Sequence, residues 1–108
     1  MMNSAGINPW KILIVDDDVD IHDVTEMALR RLVYEDRSLL FLKAYSASEA
    51  IVQLEKYSDI AVAILDVVME SDTSGLDLIK TIRETMGNSN IRIIVRTGNP
   101  VLSTTGIT

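Results

Sequence analysis

The chemistry in this 108-residue chain concentrates in its aspartates. Asp16, Asp17 and Asp18 follow one another directly after the apolar run Ile12-Leu13-Ile14-Val15, and Asp66 ends a second unbroken run, Ile60 to Leu65. Thr97 follows a further strand candidate, Ile91 to Arg96. Carboxylates gathered in one place repel each other and resist ionisation unless a cation neutralises them. A hard, oxygen-seeking Mg²⁺ answers that need, since it binds through one or two carboxylates and keeps several waters. A single Asp at a strand end is as well explained by capping in solvent; acids on matching strand ends are harder to explain that way.

The elements that must position these groups read as alternating strands and helices. Continuous apolar runs suit strands covered on both faces, as in a parallel sheet. Strands are expected at 12–15, 39–44, 60–65 and 91–96. Between them, Ile21, Val24, Ala28 and Leu32 recur at helical spacing from Asp20 to Tyr34, with Asp20 as N-cap and Arg30-Arg31 near the end. Ser46 and Glu49 form a capping box ahead of a second helix ending near Tyr57. Ser74 and Asp77 repeat that spacing before a third helix carrying Leu78, Ile79, Ile82 and Met86, stopped by Gly87-Asn88. The order βαβαβαβ implies right-handed crossovers and a parallel sheet with helices on both faces. Function in such sheets collects at the carboxyl ends of the strands, near the point where strand order reverses. That is where Asp16, Asp17, Asp66 and Thr97 would meet.

Composition agrees with one globular domain: 47% of residues are apolar and 24% charged. Residues 1–9 read as a tail and 10–108 as the domain. The net charge of −6 argues against direct nucleic-acid binding, which needs a basic stripe. With no cysteine, thiol catalysis and thiolate metal sites are excluded. Apolar runs of about five or six residues fall far short of the ~20 a membrane-spanning helix needs. No signal peptide is visible in MMNSAGINPW, so a cytoplasmic protein is expected.

The motifs carry a resemblance. Lys11 to Asp18, Ile64 to Met69, Gly75 to Leu78 and Ile93 to Gly98 resemble, in order, the signature segments of the response-regulator receiver domain of two-component signalling. The resemblance implies a flavodoxin-like fold and a phosphorylation switch. Asp66 would accept a phosphoryl group from a sensor histidine kinase or phosphotransfer protein. Asp16, Asp17, Asp66 and the backbone carbonyl of Val68 would bind Mg²⁺, and Thr97 would contact the phosphoryl group. Phosphoryl transfer needs positioning and charge neutralisation more than covalent help, which suits such a site.

The pattern departs from the family in three places. Glu70 follows Met69 where proline is usual, and the loop to Ser74 looks about a residue longer. Val68 and Asn99 hold positions that influence water access; an apolar Val68 implies slow self-hydrolysis. Finally, the helix–strand–helix that completes such domains, with its essential lysine, is not visible, the last lysine being Lys80. This suggests an incompletely represented domain, or one that buries its exposed edge by homodimerisation. The rival function is a degenerate receiver-like module used for protein–protein interaction without phosphorylation. A haloacid-dehalogenase-like phosphatase would need an acid at Val68, and a dinucleotide-binding domain a glycine-rich turn where Asp16 to Asp18 stand. The segments Asp66 to Asp72 and Arg96 to Pro100 also resemble a subgroup in which the receiver precedes a larger signalling region, in some members a cyclic-dinucleotide phosphodiesterase domain. His22 reads as a surface or N-terminal helix residue, and Trp10 as a packing residue.

Overall fold

The computed structural model describes residues 8–66 and 74–96. Four strands, β1 (Trp10–Val15), β2 (Leu39–Ala44), β3 (Ile60–Asp66) and β4 (Arg92–Arg96), form one parallel sheet in the order β2-β1-β3-β4. Three helices connect them: α1 (Val19–Leu29), α2 (Ala47–Lys56) and α3 (Ser74–Lys80), the last continued by a wider π turn over Thr81–Thr85. This is the flavodoxin-like α/β arrangement that the alternating pattern implies. Because β1 is central and connects to β2 on one side, with β3 and β4 on the other, the strand order reverses between β1 and β3.

The unbroken apolar strands are explained by burial on both faces. One face supplies Leu13, Val15, Ala63 and Leu65, which pack with Ala50 and Leu54 of α2 and with Leu78 and Ile82 of the third helical segment. Full burial of an aliphatic side chain contributes about 1.5–3 kcal/mol, so this layer supplies most of the drive to fold. On the opposite face Ile12 and Ile14 are also buried.

The α2 boundaries follow the capping box. Ser46 Oγ accepts from the Glu49 N–H at 3.1 Å, and Glu49 Oε1 accepts from the Tyr45 N–H at 2.9 Å. Helix three stops at Gly87, whose φ of +67° suits a residue without Cβ, and Leu78 and Ile82 are buried as their spacing implies. The Ser74 side chain lies outside the described residues.

Helix α1 differs from the sequence expectation at both ends. Its N-cap is Asp18, whose side chain accepts from the Asp20 N–H at 2.9 Å, so the helix begins before Asp20. It ends at Leu29 because a tight reverse turn follows. Glu35 and Asp36 both take positive φ while Tyr34 and Arg37 exchange backbone hydrogen bonds, a geometry no helix can run through. The apolar positions Val24 and Leu32 are 62% and 53% exposed, so they do not form the inward face. His22, Thr25, Glu26 and Leu29 lie on the more buried side instead, and Glu26 pairs with Lys43 of β2 at 3.2 Å.

Trp10 is a packing residue. Its Nε1–H donates to the Tyr34 carbonyl, and the Arg37 guanidinium lies 3.5 Å from the ring centroid. No helix among the described residues is long and apolar enough to cross a membrane.

Candidate functional site

Asp16 follows the last residue of β1, Asp17 comes next, and Asp66 is the last residue of β3. These two strands are neighbours, with Val15 registered against Leu65, so parallel pairing brings the three carboxylates to one end of the sheet at the switch point. One carboxylate oxygen from each lies within 4.8 Å of the others. Burial is graded: Asp16 is buried, Asp66 half-buried and Asp17 exposed.

Asp16 is the most constrained of the three. Its N–H donates to the Ala44 carbonyl at 3.1 Å, extending the β1–β2 ladder. Oδ1 accepts from the Asp18 N–H at 2.9 Å, which turns the chain sharply into α1. Oδ2 accepts from Arg96 Nη1 at 2.8 Å, a buried carboxylate paired with a half-buried guanidinium. The Asp16 carbonyl accepts from His22 Nε2 at 2.8 Å. A buried carboxylate is tolerated only when its oxygens are satisfied in this manner. One residue is therefore fixed by β2, by α1 and by β4.

His22 is fully buried, not on the surface as its sequence context suggests. With the helix starting at Val19 rather than at Asp20, its ring falls on the sheet side of α1. It packs against Tyr45, ring centroids 4.4 Å apart. Because a carbonyl can only accept, Nε2 carries the hydrogen; Nδ1 is buried and has no hydrogen-bond partner among the described residues.

Arg96 is the second residue whose place the sequence leaves open. It is registered directly against Asp66 in the β3–β4 ladder, so the two share a sheet face with Arg92 and Ile94. The signal was present in the alternation of β4: position 96 falls on the face that Asp66 occupies. Thr97 and Val68 lie outside the described residues. The structure thus brings together Asp16, Asp17 and Asp66 and adds Arg96 and His22 around them.

The three oxygens suit a small divalent cation. Octahedral Mg²⁺ holds its ligands at about 2.0–2.1 Å, so a slight closing of the carboxylates, or a water between one of them and the ion, completes the fit. A groove of about 710 Å³ opens at the opposite end of the sheet among Trp10, Ile12, Tyr34, Val62 and Arg92. Its position at the amino ends of the strands separates it from the carboxylates.

A doubly wound parallel domain with an acidic cluster at its switch point is therefore the class that fold and site define. Comparison with known proteins makes the class specific. The response regulator receiver domain profile matches residues 12–106, and the chain belongs to that family. The 3'3'-cGAMP-specific phosphodiesterase 2 of Vibrio cholerae is 42% identical over 90 residues, 83% of this chain but 17% of that protein. The RcsB response regulator of Salmonella typhimurium matches with a TM-score of 0.67 at 26% identity, covering 86% of this chain and 44% of that one. A response regulator receiver protein from Pseudomonas putida matches with a TM-score of 0.61 at 25% identity, covering 93% and 82%. The chain spans less than a fifth of the Vibrio relative's length. As a receiver it is a signalling domain of two-component systems.

Proposed function

We propose that residues 10–108 form an Mg²⁺-dependent phosphorylation switch in which Asp66 accepts a phosphoryl group from a sensor histidine kinase or phosphotransfer protein in the cytoplasm. The observation that supports it best is the convergence of Asp16, Asp17 and Asp66 oxygens within 4.8 Å at the switch point of a receiver fold.

In this reading an Asp66 carboxylate oxygen attacks phosphorus, the bond from phosphorus to the donor imidazole nitrogen breaks, and that nitrogen keeps the electron pair. The product is an acyl phosphate on Asp66. Asp16, Asp17, Asp66 and the Val68 carbonyl would hold Mg²⁺, which when bound neutralises charge on the transferring oxygens. Asp16, pinned by Ala44, Asp18, Arg96 and His22, keeps its carboxylate at the mouth of the site. Thr97 would hydrogen-bond a phosphoryl oxygen. The net added charge of about −1, placed on new acceptor oxygens, supplies the free energy for a conformational change. The exposed Ile94 on edge strand β4 offers a surface for a partner copy. The likeness to the Vibrio phosphodiesterase favours an attached cyclic-dinucleotide phosphodiesterase region as the output.

Acetyl phosphate with Mg²⁺ should add one phosphoryl group, seen by intact mass, that Asp66→Asn and EDTA both abolish. Wild-type protein that stays unmodified and gives no beryllofluoride response would establish the non-phosphorylated interaction module instead.

A further inference from the structure

The Arg96–Asp16 pair is unusual in its path. Arg96 stands on β4 and Asp16 follows β1, with β3 between them. Neighbouring strands lie about 4.8 Å apart, so the pair bridges two strand spacings, roughly 10 Å. Arg96 is registered on Asp66, the residue that ends the intervening strand. To reach Asp16 the guanidinium must therefore pass over the carboxyl end of β3, beside the phosphoacceptor.

Charge explains why a cation is placed there. Asp16, Asp17 and Asp66 carry three negative charges and Arg96 one positive, leaving −2 for a divalent cation to cancel. Conversion of the Asp66 carboxylate to an acyl phosphate adds about one further negative charge. Both Asp16 oxygens already accept hydrogen bonds, Oδ1 from the Asp18 N–H and Oδ2 from Arg96, so a metal ion drawing on Asp16 competes with a bond already made. Arginine suits both partners, because its planar fork matches carboxylate and phosphoryl oxygens alike.

We propose that Arg96 is a positioning residue that holds Asp16 in the metal-free site, yields it when Mg²⁺ arrives, and then turns to a phosphoryl oxygen on Asp66. This rests on the phosphoacceptor reading of Asp66. Two opposite effects follow from removing the guanidinium. Mg²⁺ binding gains, because a competing and repelling cation is gone. Retention of a phosphoryl group loses, because its charge-assisted partner is gone. A merely structural arginine would weaken both.

The test measures Mg²⁺ affinity by titration calorimetry, and beryllofluoride half-saturation by NMR with saturating Mg²⁺, on wild type, Arg96→Gln and Arg96→Lys. Arg96→Gln should bind Mg²⁺ about fivefold more tightly and beryllofluoride about tenfold more weakly. Arg96→Lys, which keeps the charge but not the fork, should stay within roughly threefold of wild type for Mg²⁺ and fall between wild type and Arg96→Gln for beryllofluoride. Mg²⁺ affinity unchanged or reduced in Arg96→Gln, or undiminished beryllofluoride binding, overturns the proposal. Should Arg96→Gln lose its native circular dichroism, Arg96→Lys decides: an Mg²⁺ affinity shifted more than threefold counts against Arg96. Wild-type protein that binds Mg²⁺ but never beryllofluoride refutes the phosphoacceptor reading, and with it the phosphoryl half of the role. The Mg²⁺ comparison still judges the other half.

Discussion

Replacing His22 separates two contributions that the structure places in one side chain. The ring is fully buried against Tyr45, and its Nε2–H satisfies the Asp16 carbonyl at 2.8 Å. His22→Ala removes both. An unpaired buried acceptor costs about 1–3 kcal/mol. Emptying a ring-sized space costs roughly 2–4 kcal/mol, a little below the range for larger aromatic side chains. The sum, about 3–7 kcal/mol, is a large share of the ~5–15 kcal/mol that holds a domain of this size together. His22→Phe keeps the ring and the Tyr45 contact, loses the hydrogen bond, and removes the buried Nδ1 that has no partner among the described residues. The last two effects oppose each other, so the net cost should be about 0–2 kcal/mol. Urea unfolding followed by circular dichroism resolves the difference. With a slope near 1.5 kcal/mol per molar, Ala should lower the midpoint by roughly 2–5 M and Phe by about 1.3 M or less. Equal losses for the two variants would show that the hydrogen bond, not the packed ring, dominates. A loss below about 1 kcal/mol for Ala would refute the burial of His22 altogether.

Two other perturbations test separate parts of the structure. Gly87→Ala should cost about 1 kcal/mol in thermal or urea melts, all of it from the positive φ, because nothing lies within 4 Å of an added Cβ. Asparagine there should cost less. The Lys11–Asp59 pair sets a pH dependence: the hydrogen bond from Lys11 holds the Asp59 carboxyl below its ordinary value. Its contribution is therefore complete above the unfolded value of about 4 and is lost as pH falls through the lower folded one. Asp59→Asn should lower the urea midpoint slightly at pH 7, by an amount that shrinks as pH falls through the lowered folded value.

Most of the architecture was legible because apolar continuity and capping chemistry are local signals. Leu13, Val15, Ala63 and Leu65 are buried where unbroken runs demand it, and Ser46 caps α2 through the Glu49 N–H. The carboxylate cluster followed from topology, since parallel neighbours must bring Asp16 and Asp66 to the same sheet end. Helix α1 was misread because Ile21, Val24, Ala28 and Leu32 share one stripe while the packed stripe carries His22, Thr25 and Glu26. Hydrophobic spacing identifies an inward face only when that face is apolar, and here it borders a polar site. Alternation places Arg96 on the Asp66 face, but its pairing with Asp16, two strands away, is a contact that spacing along the chain does not encode.

The same contact has a consequence for how the protein is made. Asp16 and Arg96 are 80 residues apart in the chain. At about 5–20 residues per second, the ribosome adds that stretch in roughly 4–16 s. Throughout that interval the nascent chain carries its densest negative charge without the guanidinium that offsets it. The edge strand β4 is thus a late guest at a site begun early. Until it docks, the carboxyl end of β1 holds its acids with only solvent counterions to offset them.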